Sequence, residues 1–152
     1  MIAIDPGNEQ SAWVIYEGGK VYGGDIEPND AVLERIAMEW PSEKLAVEMV
    51  ASYGMPVGRE VFETCVWIGR FMEAAGGADL VYRKDVKMTL CGSMRAKDAN
   101  IRQALIDRFG PGKERAVGTK KAPGPLYGFK RDMWAALAVA VTYEEQQRLA
   151  AA

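Results

Sequence analysis

Met1-Ile2-Ala3-Ile4-Asp5-Pro6-Gly7 opens the chain. An apolar run meets an acid, and the Pro-Gly pair then turns the backbone. This reads as a short buried strand that ends on Asp5. Two extended stretches follow, Ala12–Tyr16 and Lys20–Ile26, joined across Gly18-Gly19, whose tolerance of positive φ suits a tight hairpin. A helix starts at Asn29 or Asp30, carries Val32, Leu33, Ile36 and Trp40, and stops at Pro41. Leu45–Val50 is a buried strand with one charge, Glu48. Beyond a loop over 51–58, Arg59–Ala75 reads as a long helix closed by Gly76-Gly77, and Leu80–Tyr82 as a strand. Asp85–Gly92 leads into a loop, Lys97–Phe109 is helical, 113–131 is a Gly/Pro/Lys loop, and Met133 to about Leu149 is the last helix. Three antiparallel strands followed by strands that alternate with helices predict an α/β domain. Its mixed sheet has five strands flanked by helices, in one domain over residues 1–152.

The bulk chemistry narrows the options. No apolar run approaches the roughly 20 residues of a membrane span, and no basic leader precedes the first strand, so a membrane partner and an export signal are not expected. Cys65 and Cys91 stand alone in apolar surroundings and are expected as reduced, packed thiols. The chain has no histidine. That excludes Ser-His and Cys-His nucleophiles and imidazole-based zinc sites, leaving acid–base and metal chemistry to carboxylates, which favour hard cations such as Mg²⁺. Net charge is −2, yet it is unevenly spread. Residues 1–82 hold 14 acidic and 5 basic side chains, whereas 83–131 hold 13 basic and 4 acidic. A strongly basic half is the footprint expected of a polyanion partner, or else a solvated helix and loop.

Three carboxylates each interrupt an apolar run. Asp5 ends the first strand, Glu48 sits inside Leu-Ala-Val-Glu-Met-Val, and Asp132 opens Met133-Trp-Ala-Ala-Leu-Ala-Val-Ala-Val. Burying a carboxylate costs several kcal/mol unless it is paired or metal-bound. Taken singly, Asp5 also reads as a turn residue, Glu48 as an edge or dimer residue, and Asp132 as a helix cap. In this order and spacing the three resemble the catalytic acids of the RuvC family of Holliday junction resolvases. Val86-Lys87-Met88-Thr89-Leu90-Cys91-Gly92 with Lys97 resembles that family's basic segment, and Leu137–Thr142 its final helix.

The resemblance implies an RNase H-like fold and a crossover junction endodeoxyribonuclease. Asp5, Glu48 and Asp132 would be catalytic metal ligands for two Mg²⁺ ions, with Mn²⁺ able to substitute. It implies a homodimer on a four-way DNA junction, no nucleotide cofactor, and a bacterial or phage-infected cytoplasm. Lys87 and Lys97 would meet scissile-strand phosphates. One departure stands out: the last helix of the family commonly carries a second acid one turn on, and here that place is Ala135.

The segment from Lys113 to Arg131 carries six basic residues and one acidic, so Lys120, Lys121, Lys130 and Arg131 are read as a flexible DNA-contacting flap beside Asp132. Tyr53, or alternatively Met55, is the candidate wedge for an opened junction. Along Arg59–Ala75, helical periodicity gathers Val61, Phe62, Cys65, Val66, Ile68, Gly69 and Met72 on an apolar face. Trp67 and Phe71 fall on the opposite, charged face, where an aromatic i,i+4 pair suggests a dimer interface. Other readings remain on the same fold: a nuclease acting on RNA or on less selective branched DNA, or a junction-binding protein with weak or no cleavage. Actin-like phosphotransferases also carry an acid before a glycine at the first strand, but they are far longer, paired-domain proteins.

Overall fold

The computed structural model describes residues 1–152. Its strands are β1 (Ile2–Asp5), β2 (Gln10–Glu17), β3 (Lys20–Pro28), β4 (Leu45–Met49) and β5 (Asp79–Tyr82); its helices are α1 (Asn29–Met38), α2 (Arg59–Ala74), α3 (Arg83–Cys91), α4 (Asp98–Phe109), the single turn α5 (Lys113–Ala116) and α6 (Met133–Ala150). The sheet order is β3-β2-β1-β4-β5. β1–β2 and β2–β3 pair antiparallel, β1–β4 and β4–β5 parallel. This is the expected mixed five-stranded α/β sheet.

Strand alternation divides the core in two. Ile2, Ile4, Trp13, Leu45 and Val47 pack with Val32, Ile36 and Trp40 of the α1 segment and with Ile68 and Phe71 of α2. Ala3, Val14, Tyr16, Ala46 and Val81 face the other way, onto α4 and α6. Because strand side chains repeat every second residue, Asp5 falls on the Ala3 face and Glu48 on the Ala46 face. Both acids therefore point to the side covered by α6. That helix is buried from Ala136 through Tyr143, and its run of alanines lets the backbone lie close to the sheet. Gly24 permits the approach: a Cβ there would sit 2.9 Å from the Trp13 carbonyl oxygen and 3.2 Å from Met133 Cε. No helix is long and apolar enough to cross a membrane.

Two segments depart from expectation. Residues 83–91 form a helix, α3, where the sequence predicts none; only Val86 is fully buried on it, so its amphipathic signal is faint. The 113–131 segment is built rather than loose. It holds α5, a tight turn at Thr119–Ala122 closed by a Gly118–Pro123 bridge, and the fully buried Leu126.

The α2 face is also corrected. Thr64, Ile68 and Phe71 turn inward, and Phe71 is wholly buried. Thr64 is tolerated there because its hydroxyl donates to the Glu60 carbonyl at 2.8 Å, meeting its polar demand locally. Trp67 is half-buried, packs against Phe71 with ring centroids 5.8 Å apart, and carries the Arg70 guanidinium 4.2 Å over its ring. Phe71 is thus satisfied within the subunit and is not available to an interface, while Trp67 stays partly exposed beside it. Phe62 and Val66, 63% and 62% exposed, are the apolar residues left outward. Phe71→Ala should cost about 3–5 kcal/mol in chemical unfolding; a loss under about 1 kcal/mol would return Phe71 to the surface.

Candidate active site

Asp5 ends β1 and is followed by a turn pinned by one buried network. Gly7 N–H donates to Ser11 Oγ at 3.2 Å, Ser11 Oγ–H donates to Asn29 Oδ1 at 2.5 Å, and Asn29 Nδ2–H donates to the Gly7 carbonyl at 2.9 Å. Ser11 and Asn29 are buried, so the start of α1 locks the backbone just past Asp5. Neither residue stands out in the sequence, since Ser and Asn are ordinary turn and cap residues.

Glu48 lies on the neighbouring parallel strand, its side chain only 13% exposed. The two carboxyls face each other, within reach of a side-chain hydrogen bond when one of them is protonated. Burial foremost, then the Glu48 and Asp132 charges, hold the Asp5 carboxyl well above the usual range; the Arg83 guanidinium pulls the other way. Glu48 is also raised, first by burial, with Arg83 again opposing. Asp132 immediately precedes α6 and makes no side-chain cap bond to it, so its carboxylate is free for other work. Arg131, just before it, sits at φ +46°, a left-handed conformation that costs a non-glycine residue of order 1 kcal/mol or more. The strain falls at the residue that aims Asp132.

Arg83 is the site residue the sequence reading passed over. One guanidinium nitrogen lies 3.7 Å from Glu48 Oε1 and another pairs with Asp98 at the start of α4. The β4–β5 register, with Glu48 beside Val81 and Met49 beside Tyr82, puts residue 83 at the acid end of the sheet. That placement depends on strand pairing, which a single sequence does not carry. Two clefts flank Arg83. One is lined by Asp5, Pro6, Glu48 and Tyr53 among others, the second by Asp98, Arg102, Arg131, Asp132, Trp134 and Ala135.

The remaining expected residues separate. Tyr53, at φ +50° and 59% exposed, lines the Asp5–Glu48 cleft. Arg131 lines the Asp132 cleft. Lys87 is half-buried one turn beyond Arg83 on α3, whereas Lys97 is exposed ahead of α4 and it is Asp98 that meets Arg83. Lys120 and Lys121 are exposed at the Thr119–Ala122 turn, and Lys130 lies 3.7 Å from Asp25. Lys97, Lys120, Lys121 and Lys130 line neither cleft.

No three carboxylates converge closely enough to form a ready-made ligand shell. The donor set nonetheless fits a hard divalent cation at its centre. Asp5 and Glu48 are oxygen donors crowded together and short of positive charge, and a cation relieves that repulsion where only Arg83 now does.

Two solved structures align along nearly their whole length. Thermus thermophilus RuvC matches at 20% identity and TM-score 0.66, over 99% of this chain and 97% of that one. The chain has a RuvC-like fold. T. thermophilus RuvC in complex with Holliday junction substrate matches with the same identity and TM-score, over 99% and 96%. No protein-family model and no curated protein matches the sequence.

The carboxyl pair has a stability signature. Unfolded, Asp5 ionises near 3.8; folded, it keeps its proton to higher pH, so the native state binds more protons above that value. Stability therefore falls as pH rises from about 4 through the folded pKa. Without metal, Asp5→Asn should flatten this decline and raise Tm at pH 8 by a few degrees, about 2–4 °C per kcal/mol for this size. Mg²⁺ or Mn²⁺ should raise Tm in the parent protein only. A thermal scan with equal cation shifts in both proteins would count against Asp5 as a ligand.

Proposed function

We propose that this protein is a structure-selective endodeoxyribonuclease that cuts branched DNA, four-way junctions foremost, by metal-dependent phosphodiester hydrolysis as a homodimer. The observation that carries this reading is the crowded Asp5–Glu48 pair, with Asp132 nearby, at one end of a RuvC-like sheet. Asp5 and Glu48 would hold one Mg²⁺, with Asp132 serving a second. A bound divalent ion supplies an activated water and neutralises charge on the scissile phosphate, so no histidine base is required.

Around that centre the chain's own side chains bind and orient the substrate. Arg131, in the Asp132 cleft, and Lys87, one turn beyond Arg83 on α3, would reach phosphates near the cut, while Lys97, Lys120, Lys121 and Lys130 would offer charge farther out. Tyr53, exposed and beside the acids, suits stacking on a base at the branch point. Dimerisation is assigned to the outward face of α2. Phe62 and Val66 are an i,i+4 pair without apolar cover in the subunit, and a two-fold dimer would present two acid sites to the two equivalent strands of a junction. A cytoplasmic site of action belongs to this reading. The absence of a three-carboxylate shell, with Ala135 where another acid could stand, favours one alternative: a junction-binding protein with weak cleavage.

A labelled four-way junction, its linear duplex and an RNA–DNA hybrid, each with Mg²⁺, Mn²⁺ or EDTA, separate these readings. Paired nicks confined to the junction and dependent on metal are expected. Tight junction binding without product in either metal would favour the binding protein, and cleavage of the hybrid would favour an RNA nuclease. Asp5→Asn should abolish cleavage while retaining or strengthening binding.

Two further outcomes are expected. Lys120→Ala with Lys121→Ala should reduce the slope of log K against log salt by up to about two units. Phe62→Glu should convert the dimer to monomer in sedimentation at micromolar concentration; a parent protein already monomeric there would contradict the α2 interface.

A further inference from the structure

The cleft beside Asp132 holds more positive charge than its carboxylates use. Arg83, Arg102 and Arg131 line it, against Asp98 and Asp132. Arg83 is engaged by Asp98 and Glu48, but Arg102 and Arg131 make no ion pair. Arg102 lies with its guanidinium carbon 4.5 Å over the Trp134 ring, and its N–H groups make no side-chain hydrogen bond. Arg131 is held at φ +46° at the cleft edge.

Trp134 lines the same cleft and is 93% buried, counting from its 7% exposure. Its ring is fixed edge-on against Phe129, centroids 5.4 Å apart. The indole Nε1–H is buried and has no acceptor. A buried donor left without an acceptor is costly and rare in native structures. Water would satisfy the indole, but it would not explain two unpaired guanidiniums at the same place. Guanidinium forks and a neutral N–H together match an oxyanion with several acceptor oxygens, and phosphate is the anion that arginine grips most specifically.

We propose that this cleft is a phosphodiester subsite, in which Arg102, Arg131 and the Trp134 indole N–H hold a backbone phosphate of the bound DNA strand beside Asp132. The inference rests on the nuclease reading for its ligand and goes beyond it in assigning Arg102 and Trp134, which the acid cluster does not use. The cleft floor at Ala135 carries no carboxylate, so the space next to Asp132 is open to an anion. Positive charge near the scissile position then comes partly from the protein. Arg102 and Trp134 act here as positioning residues for the strand.

Two metal-free experiments test it. The four tryptophans give four indole N–H resonances in an NMR spectrum of the whole protein. Titration with sodium phosphate, against sodium chloride at equal ionic strength, should move the Trp134 resonance and leave those of Trp13, Trp40 and Trp67 in place. Arg102→Gln, at an exposed position, should weaken that response at least fivefold, and Arg131→Gly, which relaxes the left-handed backbone, should do the same.

In the second experiment a four-way junction carries neutral methylphosphonates one position at a time. One substitution should weaken binding by the parent protein and have no effect on Arg102→Gln. A Trp134 resonance unmoved by phosphate, or junction binding in which no position couples to Arg102, overturns the subsite. Failure of the parent protein to bind any junction overturns the nuclease reading instead, and removes DNA as the subsite's ligand.

Discussion

Two carboxyls are buried side by side on adjacent parallel strands, where two negative charges would repel, and much of the molecule is arranged to keep them there. Asp5 and Glu48 reach the same face because β1 and β4 run parallel in register, with Ile4 beside Val47. The Ser11–Asn29–Gly7 network holds the turn after Asp5, Arg83 leans on Glu48 from β5's end, and α6 crosses above with Asp132 just ahead of its first turn. Burial that raises both acids is a cost for an isolated domain. A structure that keeps two such groups together is poised for a positive ligand. The stability penalty and the proposed chemistry have a common origin.

The division of charge along the chain takes spatial form around this pair. The acidic first half contributes the strands and the two buried acids. The basic second half contributes α3, α4 and the 113–131 segment, from which Arg83, Arg102 and Arg131 come to the clefts while no lysine lines either. Arg83 and Asp98 show why a count of charges understates the arrangement: one cation is spent on holding two carboxylates, while Arg102 and Arg131 are left unpaired. In the proposed nuclease these roles differ, with internal neutralisation on one side of Asp132 and an open grip for phosphate on the other.

Much of the frame was legible from local pattern. The apolar run ending at Asp5, the Gly18-Gly19 hairpin, the single charge in Leu45–Met49 and the alanine-rich α6 announce themselves through period and turn chemistry. What failed was whatever depends on neighbours. α3 has too few buried positions to signal a helix. Phe71 looked outward because helical periodicity ranks faces by composition, whereas the docking of α2 on α1 and β4 chose the Thr64–Ile68–Phe71 stripe and left Phe62 and Val66 exposed. Arg83 and Asp98 reach the acids only through the β4–β5 pairing and the approach of α3 to α4. Lys97, read as a site residue, sits one position away from the side chain that the fold turns toward Arg83.

The Asp5–Glu48 pair, with Asp132 close by, is the proposed seat of a divalent cation. Paramagnetic broadening by substoichiometric Mn²⁺ tests it on the metal-binding step alone, with no substrate present. Backbone amide resonances of residues 5–7 and 48–50 should broaden first, with those of 131–133 next and Asp5→Asn erasing the effect. Broadening centred instead on the exposed acids of α1 or on Glu144 and Glu145, or spread evenly over the acidic surface, would contradict the account.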